Sequence, residues 1–123
     1  METKKDYNRR AQLRFLTNGE TFAYIRNHFS VVGRIRDASL GGLAVEYASG
    51  QDKGIQGDVE VDILVGSDGF SLLKIPARIV WKKNVLELEF GATRRLGIAF
   101  DRLTRKQMSQ LRDFLRHHTE AGQ

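Results

Sequence analysis

Two clusters of side chains in this 123-residue chain have the types and spacing to hold a small anionic ligand. The first is Arg9-Arg10-Ala11-Gln12-Leu13-Arg14, in which Arg10 and Arg14 stand four residues apart. A guanidinium can grip a phosphate, or the O6/N7 edge of guanine, through two parallel hydrogen bonds, and it can stack flat on a base. The second cluster is Asp37-Ala38-Ser39-Leu40-Gly41-Gly42. Asp37 supplies a fixed acceptor and Ser39 a hydroxyl that donates or accepts, while Gly41 and Gly42 permit close backbone approach or a positive φ. Guanine's Watson–Crick edge presents N1–H and N2–H donors, which a carboxylate suits. The two clusters together fit a ligand that carries both guanine and phosphate.

The charge distribution points the same way. The chain has 20 Lys and Arg against 15 Asp and Glu, a net charge of +5. Residues 1–36 hold eight of the basic groups and three of the acids, so the whole excess lies there and the remainder is neutral. An anionic partner for the N-terminal part is the first expectation. The absence of cysteine excludes a disulfide scaffold, a thiolate nucleophile and a cysteine zinc site. No apolar run approaches the roughly 18–20 residues of a membrane span, and the polar start METKKDYNRR is unlike a secretory signal, so a soluble cytoplasmic protein is expected.

The elements that must position these residues read as β. Phe22, Tyr24 and Arg26 alternate with Ala23 and Ile25; Phe29 to Arg36 and Gly41 to Tyr47 continue as short strands. Val59, Val61, Ile63 and Val65 alternate with Glu60, Asp62 and Leu64, the period-two pattern of a half-buried strand. Gly66 to Gly69 form a hairpin loop, and Phe70 to Trp81 follow, with Pro76 implying an edge or a bulge. Lys83-Asn84 turns the chain into Val85–Phe90, and Leu96–Phe100 is the last strand. Short strands at regular spacing imply a closed or nearly closed antiparallel barrel, which also disposes of strand edges.

The period changes at the C-terminus. Thr104-Arg105-Lys106-Gln107 is a capping box, and Met108, Leu111, Leu115 and His118 share one helical face beside Phe114. A helix over 105–118, about 21 Å long, is expected to close an open side or end of the barrel. Its Arg105, Lys106, Arg112 and Arg116 also permit a membrane-surface reading. The expected organisation is one domain: a flexible basic arm over 1–19, a barrel over 20–103, the helix over 104–118 and a tail over 119–123.

On these motifs the chain resembles the PilZ domain, a bacterial receptor module for cyclic di-GMP. Arg10 and Arg14 match that family's RxxxR, and Asp37, Ser39 and Gly42 match its [D/N]xSxxG about twenty residues later. Ile79-Val80-Trp81, Arg95 to Phe100, and the spacing of Leu103, Gln107 and Leu111 resemble the family's closing strands and helix. The resemblance covers nearly the whole chain. It implies a six-stranded antiparallel barrel with a C-terminal helix, and no catalysis. It implies that Arg10 and Arg14 wrap the nucleotide, and that Asp37 and Ser39 contact a guanine, with Gly41 beside them and Gly42 leaving room. Arg9 implies an intercalated pair of ligands, two per chain. Cyclic di-GMP is then the ligand, with no cofactor or metal. An unidentified effector in motility, exopolysaccharide or transcription is the downstream partner, and the basic tail and edge strands could support a homodimer.

Other readings of the same residues stay open. The arginines could be a solvated tail, and Asp37 and Ser39 could simply bond nearby backbone in a turn. Basic residues interleaved with Phe15, Phe22 and Tyr24 could make a groove for nucleic acid, and the domain could serve protein contacts alone. Catalytic motifs are missing: Ser39 has no G-x-S-x-G around it, and neither H-E-x-x-H nor a phosphate-loop sequence occurs. His28 reads as structural or exposed, His117-His118 as suiting a helix C-terminus, and Trp81, Phe90 and Phe100 as core.

Overall fold

A computed structural model describes residues 15–17, 20–51, 54–88 and 91–120. Among these residues, eight strands and one α-helix follow in chain order, with a 3₁₀ turn at Ser49–Gln51 before β5: β1 (Phe15–Thr17), β2 (Thr21–Arg26), β3 (Ser30–Ala38), β4 (Gly42–Ala48), β5 (Asp58–Val65), β6 (Ser71–Leu88), β7 (Gly91–Phe100), α1 (Arg105–His117) and β8 (Thr119–Glu120). The sheet runs β2-β5-β6-β7-β4-β3 and closes because β3 also pairs with β2. Those six strands, all antiparallel, are the barrel; β1 and β8 continue the sheet outward from β3.

Alternation builds the core. Along β5, Val59, Val61, Ile63 and Val65 point inward, and Ala23 and Ile25 of β2 meet Ile63 and Val61 across the ladder. On the outside, Arg26 bridges Asp62 and Glu60 at 2.9 Å each. The hydrogen bond that Arg26 donates to Asp62, helped by the charges of both carboxylates and opposed by burial, holds its guanidinium above the usual arginine value. Where β3 has not yet reached β4, Gln51 stands in for a strand: its side-chain amide bonds both the N–H and the C=O of Val32.

Helix α1 covers the barrel by its apolar face. Leu111 and Phe114 are fully buried, and Leu103, Met108 and Leu115 pack beside them. Both arms of the capping box at Thr104 and Gln107 are present, and Gln107 Nε2 also donates to the carbonyls of Leu73 and Lys74 on β6. At the other end, the rings of Phe70, Phe114 and His118 lie within 6 Å of one another, and His118 Nε2 is 3.2 Å from Asp68. Because the apolar stripe is spent on the barrel, α1 has no face free to insert into a membrane. Among the described residues, no helix is long and apolar enough to cross one.

Several details depart from the sequence reading. Lys83 and Asn84 do not turn the chain: they pair with Arg95 and Arg94 inside an 18-residue β6 whose ladder to β7 ends at Leu88↔Gly91. Glycine at the end of the ladder outweighs an asparagine within it. Pro76 is on no edge, since β5 and β7 flank it; the bulge lies just before it, where Lys74 takes φ +60° and donates its N–H to Asp62 at 2.8 Å. Phe15–Thr17 belong to the sheet rather than to an arm, and Thr119–Glu120 pair with β1 rather than trail off. Trp81 is not core: it is 41% exposed. Phe100 packs against the core, His28 is exposed, and Phe90 lies outside the described residues.

Candidate functional site

The Asp37–Gly42 segment is the end of β3 and its turn into β4. Ser39 N–H donates to the Gly42 carbonyl at 2.9 Å, and Ser39 Oγ accepts the Gly41 N–H at 3.1 Å. Ser39 is fully buried, so its hydroxyl closes the turn rather than facing outward. Gly41 gives its carbonyl to Phe100 N–H at 2.8 Å. Neither Gly41 nor Gly42 adopts a positive φ. Gly42 instead permits close approach, and the approaching backbone is the protein's own: a Cβ there would sit 2.0 Å from the Ile98 carbonyl oxygen on β7.

Asp37 follows a bulge at Arg36, where the β3–β4 register slips between Ile35 and Asp37. Ala38 goes into the core, and Asp37, half-buried, stays on the outer face. Its neighbours across the sheet are fixed by register: Leu16 of β1 on one side and Ala44 of β4 on the other. Ala44 faces Gly97 of β7, and Gly97 faces Trp81 of β6. One row therefore crosses the outer surface from Asp37 to Trp81 over two small residues, a span of roughly 14 Å at ~4.8 Å per strand.

Leu43, Val45, Leu96 and Ile98 fill the inside, so Gly42, Ala44, Gly97 and Ala99 make a floor of small residues on the outer side, the first three buried and Ala99 half-buried. The Trp81 indole lies over Gly97, whose missing Cβ would fall 2.1 Å from the ring nitrogen. A depression of about 140 Å³ opens between Trp81 and the Gly41–Leu43 backbone. Along its flank, the next row carries Glu46, Arg95 and Lys83; Arg95 donates to Glu46 at 3.2 Å, while its Nε has no hydrogen-bond partner among the described residues. Lys83 sits 5.6 Å from the Trp81 ring centre.

Arg9, Arg10 and Arg14 lie outside the described residues. Phe15, the residue that follows Arg14, is paired with Ala38, and Leu16 with Asp37, so the strand after the arginine motif pairs along its backbone with the residues of the other motif. The floor and Trp81 escaped sequence reasoning. A tryptophan in an apolar strand reads as core, and the signal that could have exposed it, glycine at its cross-strand position, needs the register. Among the described residues, no group of three or more His, Cys, Asp or Glu is placed to hold a metal ion.

Comparison with known proteins fits this geometry. A family model, the PilZ domain, matches residues 8–117. No curated protein sequence matches the chain. Among solved structures, the PilZ domain of YcgR from Escherichia coli with c-di-GMP is 17% identical, with a TM-score of 0.69 over 88% of this chain and 89% of that one. The MrkH–c-di-GMP complex of K. pneumonia is 18% identical, with a TM-score of 0.66 over 88% of this chain and 51% of that one. The inhibitor of motility MotI/DgrA from Bacillus subtilis is 16% identical, with a TM-score of 0.61 over 89% of this chain and 53% of that one. The chain thus spans about half the length of MrkH and MotI.

Proposed function

The chain belongs to the PilZ domain family, and from that premise we propose that it is a receptor for cyclic di-GMP. The observation that carries the reading is the pairing of Leu16 with Asp37, which brings the segment after Arg14 beside the carboxylate. In this reading Asp37 accepts from the N1–H and N2–H of one guanine, whose ring lies on the Gly42–Ala44–Gly97 floor against Trp81. Arg10 and Arg14 close over it and hold phosphate, with Arg9 serving a second, intercalated nucleotide. Ser39 acts by fixing the turn that carries Asp37, and Gly41 and Gly42 by keeping that turn flat against β7. The solved structures of YcgR and MrkH with c-di-GMP support the choice of ligand.

Magnitudes set the affinity. Three or four charge-assisted hydrogen bonds at about 1.5–3 kcal/mol each compete with ordering several residues at about 1–2 kcal/mol each. Stacking then supplies much of the surplus, and a dissociation constant near ~1 µM, about −8 kcal/mol, is expected. Ordering of the N-terminal residues on the nucleotide is also the signal: it changes the surface offered to an effector protein. MotI as an inhibitor of motility, and MrkH as a c-di-GMP-dependent transcription regulatory factor, illustrate the kinds of process such an effector could serve.

Trp81 is the chain's single tryptophan, so its emission reports on this site alone. Titrating cyclic di-GMP should quench or shift that emission and saturate at two nucleotides per chain, while GTP at equal concentration leaves it unchanged. Saturation at one nucleotide removes the role given to Arg9. An emission change produced instead by single-stranded nucleic acid, with affinity falling steeply with salt, overturns the receptor reading in favour of a nucleic-acid groove.

A further inference from the structure

The outward face of α1 carries a line of charge that neither the fold nor the nucleotide site uses. Arg105, Ser109, Arg112 and Arg116 recur at steps of four, three and four, which places them on one stripe about 16 Å long, opposite the buried Leu111 and Phe114. All four are exposed, as is Lys106 beside them. The one acid among the helix's thirteen residues is Asp113, 3.8 Å from Arg116 in a loose, exposed pair. Among the described residues, Arg105, Lys106 and Arg112 make no ion pair. Arg112 and Arg116, four apart, repel, so the helix's own stability accounts for Arg116, which suits the last turn beside Asp113, and not for the stripe as a whole.

We propose that this stripe is the docking surface for an acidic helix of a partner protein, with carboxylates at the same four-three-four spacing meeting Arg105, Arg112 and Arg116. Two helices share one rise per residue, so spacing that matches once matches along the whole stripe, and Ser109 leaves room for close approach. Guanidiniums pair with carboxylates through two hydrogen bonds, which rewards that match. Single-stranded nucleic acid fits less well, because the helix exposes no Phe, Tyr or Trp on which a base could stack. A bilayer fits less well, because the apolar face is occupied by the barrel. The proposal deepens the receptor reading by naming the chemistry of its effector, but its test needs no nucleotide.

The probe is a fluorescent, stapled helical peptide bearing glutamates at i, i+4, i+7 and i+11, titrated with the full chain at low salt. Its control is an isomer of the same composition with the glutamates spread round the helix. The matched peptide should bind about tenfold more tightly than the isomer, and joint Arg112→Glu and Arg116→Glu changes should erase that difference. Arg105→Gln should lower the affinity part-way, and the melting curves of the variants verify that they are folded. Equal binding of the two peptides, or binding indifferent to the charge reversals, overturns the proposal. Tighter binding of duplex DNA or of phosphatidylglycerol vesicles to the same arginines overturns it too, assigning the face to nucleic acid or membrane. None of these results bears on the Trp81 titration.

Discussion

Gly42 and Gly97 both have to be small, and the reasons differ enough to separate folding from binding. A methyl on Gly42 would meet the Ile98 carbonyl at 2.0 Å, a backbone atom held in the β4–β7 ladder. Gly42→Ala should therefore cost about 2–3 kcal/mol, read as a fall of roughly 10 °C in melting temperature. A methyl on Gly97 meets the Trp81 ring instead, an exposed side chain that can swing aside. Gly97→Ala should keep most of the stability while displacing the indole and weakening cyclic di-GMP, seen by comparing melts with titrations of the same two proteins. The Asp37–Gly42 turn was legible from its residue types, but the Ser39 hydroxyl, expected at a guanine, is buried and closes that turn instead. The need for glycine at 42 was legible only as a choice between two conformational reasons, and Trp81 was hidden because size and apolarity name a core residue until the register places it outside.

Among the elements, α1 was the easiest to read, and its anchoring is the most exposed to test. Phe114→Ala removes a fully buried ring at about 3–5 kcal/mol, much of the roughly 5–15 kcal/mol a domain of this size has. Gln107→Ala loses one arm of the capping box and two bonds to β6, and should cost about 1–2 kcal/mol. Urea midpoints with an unchanged slope are the measurement for both. The short elements were illegible, since neither three residues in β1 nor two in β8 establish a period. Yet β8 gives β1 its second neighbour: Leu16 pairs with both Asp37 and Glu120. Removing residues 119–123 should speed amide exchange in Phe15–Thr17 and weaken nucleotide binding severalfold, with protection of β5 unchanged. A uniform loss of protection would mean that β8 supports the whole barrel instead.

At the scale of the molecule, closure of six strands lets a neutral barrel carry a flat, small-residue floor on its outside, while the sequence places the entire excess of positive charge in residues 1–36. The barrel and its lid could be read from alternation, turn residues and the capping box. Which strand faces which could not, because register depends on bulges at Arg36, Lys74 and Val80 that leave no mark in the hydrophobic pattern. That register is what joins Asp37 to Leu16 on one side and, through Ala44 and Gly97, to Trp81 on the other. The central claim is that the arginine motif and the carboxylate act on one ligand. Calorimetry of cyclic di-GMP with the wild-type chain, Arg10→Ala and Asp37→Ala decides it. Wild type should bind near ~1 µM, and each substitution should weaken binding at least about tenfold, as loss of a charge-assisted contact implies. No heat from the wild-type chain at tens of micromolar nucleotide, or undiminished binding by Asp37→Ala, would contradict it.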